Sequence, residues 1–515
     1  MARFNFCDGF WALPNITAES QDCMNLYPQA VESGVGASAM TLESTPGLSL
    51  VAQQAGAANA GRGCFTVQNR TFWAIDAELY ELTAAGLTAL GIIGNDGKAV
   101  SFAACPQQLL VASAGIAYSF QLQTQTLASG AVITAGTFQQ VPAAPWGNAP
   151  VTQVGYLDGF FFVLVANSQT IYASNLFDAT TWPGLAVKII NTFADNVISM
   201  ICDHRFMYLF GPKAAEVDYD AGNFPFPLAA LQSGYMEQGC GAQFSACQCD
   251  NTIFWIGARN DQGIAIAWRA SGSQPIRIST HAIEKAWEKY PTVADAISFV
   301  YQEGGHTFWC ITFPTAQATW AYDVATSRWH RRGYWNGNLG IFQAALPMCH
   351  TFNFGKHLVG DRTSGKIYQM SEPVASGGAW NFVTDNGALI RRVRVAPHIN
   401  TEHQWMRYSL LEIYLETGMS PQPPLKDGTG NWRGPELFLR CSRDGGHTWG
   451  QPRYVDCGQA GNYLTRAVFR RLGRARDMVF EVSCSDPIPW RFTDAFVNPQ
   501  PTPKKRLVHT IGEVA

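Results

Sequence analysis

At 515 residues, with 47% hydrophobic and 15% charged side chains, the chain reads as globular and too long for one ordinary core, so two to four domains are expected. The formal net charge of -3 hides a split: residues from Arg391 onward carry 18 basic and 12 acidic side chains, a net of +6, which leaves -9 for residues 1–390. Gripping DNA by its phosphates needs clustered Lys and Arg, so the charge of the first 390 residues argues against tight DNA binding, though it permits DNA to slide past.

Sixteen Trp, 31 Phe, 48 Gly and 27 Pro favour short strands and turns over long helices. The 13 cysteines are scattered, with no CxxC pair, and read as small core hydrophobes of a chain made in a reducing cytosol; no zinc site is expected. Met1–Asp8 has no apolar core of signal-peptide length. The most apolar short run, Phe160–Ala166, is too short to span a bilayer, so a soluble chain without membrane insertion is expected.

In chain order, residues 1–60 are turn-rich, with Pro14, Pro28 and Pro46, and read as an arm or connecting segment. Residues 61–375 repeat. Strand-like runs begin near Val100, Val151, Val197, Phe244, Ala296 and Phe342, at steps of 51, 46, 47, 52 and 46 residues. That period belongs to four-stranded propeller blades. Within each unit a first strand meets a tight turn and then a very apolar second strand, as in Leu157-Asp158-Gly159-Phe160, Cys202-Asp203-His204-Arg205 and Cys249-Asp250-Asn251-Thr252. Asp and Asn suit such turns because they tolerate left-handed dihedrals. A third strand carries an aromatic, at Tyr118, Tyr172, Trp268, Tyr322 and Tyr368. Blades pack face to face, which explains continuous apolar runs where a one-sided sheet would alternate. The expectation is a six-bladed β-propeller, or seven blades if Cys64–Leu82 forms a unit of its own.

A short helix is expected over Thr280–Tyr290, capped by Thr280, with Ile283, Ala286, Trp287 and Tyr290 on one face packed against the propeller edge. Residues 376–500 lose the repeat and turn Arg-rich. Alternating runs such as Ser409–Glu416 and Asp477–Val482 read as a β-sandwich-like domain. Residues 501–515 read as an extended, mobile tail.

Several segments resemble one family. Asn25-Leu26-Tyr27-Pro28 and Thr45-Pro46-Gly47-Leu48 look like its opening signature, with Gln29 where an acidic residue usually follows. Ile278–Glu284, Gly305-His306-Thr307-Phe308, Thr319–Asp323 and Trp329-His330 follow in the family's order, and Arg466–Gly473 with Ala475-Arg476 resembles its Arg-rich strand pair. The family is that of the packaged-DNA stabilisation, or tail nozzle, proteins of short-tailed bacteriophages. The resemblance implies a virion protein of the tail, made in the host cytoplasm, with no enzymatic activity and no cofactor. Six copies would form a ring that closes the DNA-filled head and docks on the head-to-tail adaptor ring and on tail fibres or spikes. Duplex DNA would pass through during ejection without specific binding.

The strongest competing motif is Ser442-Arg443-Asp444-Gly445-Gly446-His447-Thr448-Trp449, an Asp-box of the kind found in sialidase propellers. It raises the alternative of a carbohydrate-active propeller or lectin acting on host surface glycans. Such boxes are hairpins in which the Asp bonds turn amides, and Ser442, Asp444, Gly446, Thr448 and Trp449 are read as one structural turn. Only one box occurs, outside the repeat, and Arg391, Arg392 and Arg394 lie too close together to be three arginines drawn from different blades. Asp218-Tyr219-Asp220 with Asp203 lacks EF-hand spacing, and Ser364-Gly365-Lys366 lacks the rest of a P-loop. Arg466, Arg470, Arg471, Arg474 and Arg476 are the candidate interface with a neighbouring subunit or the adaptor, since Arg binds carboxylates at two points. The other reading is a basic edge strand that blocks aggregation.

Overall fold

The computed structural model describes residues 1–501 other than 34, 55, 57–59, 143–144 and 259–264, so the expected tail beyond Pro501 lies outside the described residues. The chain divides into two compact units, Thr45–Ile390 and Met1–Ser44 with Arg391–Ala515.

Among the described residues the first unit is a propeller of seven four-stranded antiparallel blades. Six occupy residues 61–92, 101–140, 151–189, 199–230, 247–277 and 297–332. The seventh takes three strands from 347–371 and its fourth strand, Gly47–Gln53, from the start of the chain. The count is therefore seven and not six. Residues 61–92 form a full blade whose short loops compress its spacing, and it does not complete a blade begun elsewhere.

The apolar runs divide their residues between two neighbours. In the third blade Phe162 and Leu164 pack with Met207 and Leu209 of the fourth, while Phe161 and Val163 pack with Leu110 and Ala112 of the second. The circle closes where Trp73 and Ile75 of the first blade meet Leu358 and Ile367 of the seventh. Asp158, His204, Asp250 and Asn251 all have positive φ, as the hairpin turns require. The helix runs His281–Glu288, capped by Thr280, and buries Trp287 against Phe313, Trp320 and Trp329 of the sixth blade.

The second unit is a sandwich of two antiparallel sheets. One runs Leu26–Ala30, Met40–Ser44, Phe492–Pro501, Met406–Leu415 and Ala467–Ala475, with Ala2–Phe4 also paired to Phe492–Pro501. The other runs Asp22–Met24, Arg392–Val395, Asp477–Cys484, Glu436–Ser442 and Arg453–Asp456. Met406, Tyr408, Leu411, Ile413 and Leu415 alternate into the core, opposite Phe480 and Val482 of the fully buried strand Asp477–Cys484.

The expected arm over residues 1–60 is thus corrected. Residues 1–44 supply strands to the sandwich, and Gly47–Gln53 closes the propeller. The sequence between them has a steric role: a Cβ on Gly47 would lie 2.3 Å from the Phe382 carbonyl oxygen, so only glycine fits where the chain enters the last blade. The last blade ends at Ser371, and the compact unit that holds the propeller runs on to Ile390.

Candidate assembly interface on the sandwich

The candidate arginines lie on or beside Ala467–Ala475, an edge strand whose strand pairing is with Met406–Leu415. All five are exposed, but they do different things. Arg466 forks onto Glu412 within the same sheet, its Nε 2.6 Å from the carboxylate, so its charge is spent inside the chain. Arg474 and Arg476 both stand 5.2 Å from the centroid of the exposed Trp405 ring. Arg470 and Arg471 form no ion pair among the described residues. A bulge, with Arg471 at φ 57°, places an extra residue here and turns the edge.

Two arginines that sequence reasoning did not assign belong to the same surface. Arg453 donates through Nη1 to the carbonyls of Arg470 and Arg471, both at 3.0 Å, and Arg443 donates to the Leu472 carbonyl at 3.3 Å. They line a cavity of about 330 Å³ with Trp449, Gln451 and Cys441. Burial pushes the Cys441 thiol up to about 11, against the pull of both guanidinium groups. The legible signal was the Asp-box itself: Arg443 is one of its variable positions, and the hairpin it forms folds Arg453 back opposite Leu439.

Ser442–Trp449 forms a hydrogen-bonded turn. Asp444 accepts from the Thr448 amide at 2.9 Å and from its hydroxyl at 2.6 Å, and Ser442 Oγ accepts from the Gly446 amide at 2.7 Å. Trp449 packs against Arg440. The hairpin also holds the N-terminal segment: His447 Nε2 lies 3.2 Å from Thr17 Oγ1, and a Cβ on Gly446 (φ 94°) would meet Ile16 at 2.9 Å.

Hydrogen bonds from Thr448 draw the Asp444 carboxyl down to about 2. A folded-state value below the ordinary one means stability present at neutral pH and lost as pH falls from about 4 towards 2. Asp444→Asn is expected to cost about 1 kcal/mol at pH 7, the shift being discounted for solvent exposure. Urea titrations should show that cost shrinking at pH 2.5; an equal loss at both pH values would contradict the assignment.

Other charged groups are structural. Arg394 is fully buried and donates to the Phe6, Gly9 and Asp22 carbonyls at 2.7, 2.8 and 3.2 Å and to Gln21 Oε1. Asp218 and Glu216 share Lys188 Nζ, which donates to both carboxylates at 2.6 Å. Ser20, His398 and Asp477 stand in the order of a hydrolytic triad, with Oγ–Nε2 at 3.1 Å and Nδ1–carboxylate at 2.7 Å. Nε2 is also 2.9 Å from the Ile16 carbonyl, an acceptor, and a general base there needs a free lone pair. The group clamps residues 16–20 to the sandwich.

These features define an all-β propeller–sandwich protein whose charged side chains hold backbone or crowd an exposed edge. The chain belongs to the family of bacteriophage P22 Gp10: the family's propeller description, "Bacteriophage P22 Gp10, beta-propeller", matches residues 19–375, and "Bacteriophage P22 Gp10, beta-sandwich" matches residues 391–500. It is a structural tail protein of a phage virion, in the packaged-DNA stabilisation family that its sequence resembles. No curated protein matches it.

Among solved structures it is similar to the N-terminal domain of Nup159, at 10% identity and a TM-score of 0.38 over 68% of this chain and 98% of that one. It is also similar to the extracellular domain of the putative hybrid two-component system BT4673 of B. thetaiotaomicron, at 8% identity and a TM-score of 0.40 over 75% and 47%. The designed protein Ika8 follows at 11% and 0.36 over 63% and 100%. The family models, not these likenesses, identify the chain. Among the described residues no helix is long and apolar enough to cross a membrane.

Proposed function

We propose that the chain forms the ring-shaped tail nozzle of its phage, closing the DNA-filled head, docking on the adaptor ring and on tail fibres or spikes, and conducting DNA during ejection. A homo-hexamer is the expected assembly. The observation that carries this reading beyond the family is the edge strand Ala467–Ala475, where Arg470 and Arg471 stand exposed beside Arg443 and Arg453, four guanidinium groups without an acidic partner among the described residues. A strand serving only to block aggregation needs charge but no pocket. Here the cavity beside Trp449 offers a carboxylate both a place and two forked donors held by backbone carbonyls. Net charges of -9 over residues 1–390 and +6 beyond them suit a head-to-tail ring in which each copy offers two complementary surfaces.

Negative-stain imaging of the protein with its phage's adaptor should show closed rings with an open centre. The double variant Arg470→Glu, Arg474→Glu is expected to keep its urea midpoint and to weaken adaptor binding at least tenfold in a sedimentation assay. Unchanged binding by that variant would remove the strand from the interface, and dispersed single particles with adaptor present would count against the ring.

A further inference from the structure

Two thiols meet at the seam where the propeller closes. Cys64 is in the innermost strand of the first blade, Gly61–Val67, and Cys349 in that of the seventh, Pro347–Asn353. These strands lie side by side in a defined register: Thr351 Oγ1 is 2.7 Å from Thr66 Oγ1, and Asn353 donates to the Asn69 carbonyl at 3.0 Å. Each cysteine stands two residues before its threonine, on the same face of its strand. Across their own blades Cys64 pairs with Trp73 and Cys349 with Gly360. A Cβ on Gly360 would lie 2.8 Å from Cys349 Sγ and 3.3 Å from the Trp73 ring, which puts the sulfur in the seam between the blades. Both cysteines pack on one inter-blade cluster and line the axial cavity of about 600 Å³, roomy enough for a small reagent. Burial and the adjoining Cys349 hold the Cys64 thiol well above its ordinary value, so its reaction is slow at neutral pH and faster in alkali.

We propose that Cys64 and Cys349 are a disulfide-forming site that fastens the first blade to the seventh when the protein meets a small disulfide or diazene oxidant. Two S–H bonds break and one S–S bond forms, while two electrons and two protons pass to the oxidant; a small disulfide leaves as two thiols, a diazene as a hydrazine. A chain made in a reducing cytosol keeps both thiols, and the bond forms after release into an oxidising medium. The link would enclose nearly the whole propeller in one loop, the case in which cross-linking constrains the unfolded chain most. It would add a covalent clasp to a circle otherwise closed by strand pairing of Gly47–Gln53 with Lys366–Ser371.

The full-length protein, treated with diamide at pH 8 and then alkylated, is digested without reductant and read by mass spectrometry. A Cys64–Cys349 linked peptide is expected, with a thermal midpoint raised by roughly 5 °C and restored by dithiothreitol. Cys64→Ser and Cys349→Ser should each abolish both the link and the shift; an untreated midpoint close to the parent's shows that the variant is folded. Recovery of both cysteines fully alkylated after oxidation, or linked to other cysteines, overturns the proposal. That readout comes from the unmutated protein and stands whether or not the variants fold.

Discussion

Replacing Arg394 with Met is expected to cost the sandwich unit about 3–5 kcal/mol, among the largest losses of any single substitution in it. The side chain is fully buried, and its guanidinium serves three backbone carbonyls and the Gln21 amide oxygen. Methionine fills much of the volume but withdraws the guanidinium from all four acceptors, three of them in fully buried bonds. The segment Phe6–Asp22 would then lose its side-chain tether to Arg394 and keep only the strand pairing of Asp22 with Val395. Lysine should rescue less than half of the loss, because one ammonium cannot reach acceptors arranged around a planar fork. Circular dichroism during urea unfolding measures this; a cost below about 1 kcal/mol would show that water takes over the role and that the network is not structural.

The second large effect concerns closure of the propeller. A fragment spanning residues 45–390 is expected to fold, whereas one spanning 61–390 is not. The difference contains Gly47–Gln53, which pairs from Lys366↔Gln53 to Ser371↔Gly47 and buries Leu48. Without it the seventh blade presents an unpaired edge and an open flank beside Tyr368 and Met370. At about 1 kcal/mol for each lost hydrogen bond, plus the exposed apolar surface, the loss is on the order of 5 kcal/mol. Size-exclusion chromatography and thermal melts distinguish the outcomes. Equal behaviour of the two fragments would mean that residues 47–53 are an arm after all.

That contrast marks where local sequence stops being informative. The blade period was legible because both faces of each middle strand are buried and because Asp158, His204 and Asp250 occupy obligatory turn positions. The blade count was not, since the seventh blade borrows a strand lying some 300 residues earlier, and no local pattern encodes such a pairing. Residues 26–30 look like a turn segment because of Pro28, yet they form the edge of a sheet, the one place where a strand tolerates proline.

The sandwich was legible as a class, but its charges were not. Arg392 and Arg394 sit in a strand with every residue buried, and nothing in the alternation distinguishes an inward arginine from an outward one. The Arg466–Arg476 strand was found from composition. Its division of labour was hidden, because Glu412 and Trp405 stand more than fifty residues away in sequence. The family resemblance reached across these gaps because its short motifs mark places where packing admits few alternatives, Gly47 against Phe382 being the clearest.

The most direct test of the nozzle reading is DNA retention. Phage particles assembled without this chain should fill with DNA and then lose it, and adding the purified protein before purification should restore both retained DNA and infectivity. Filled particles that keep their DNA and infect cells without this protein would contradict the account.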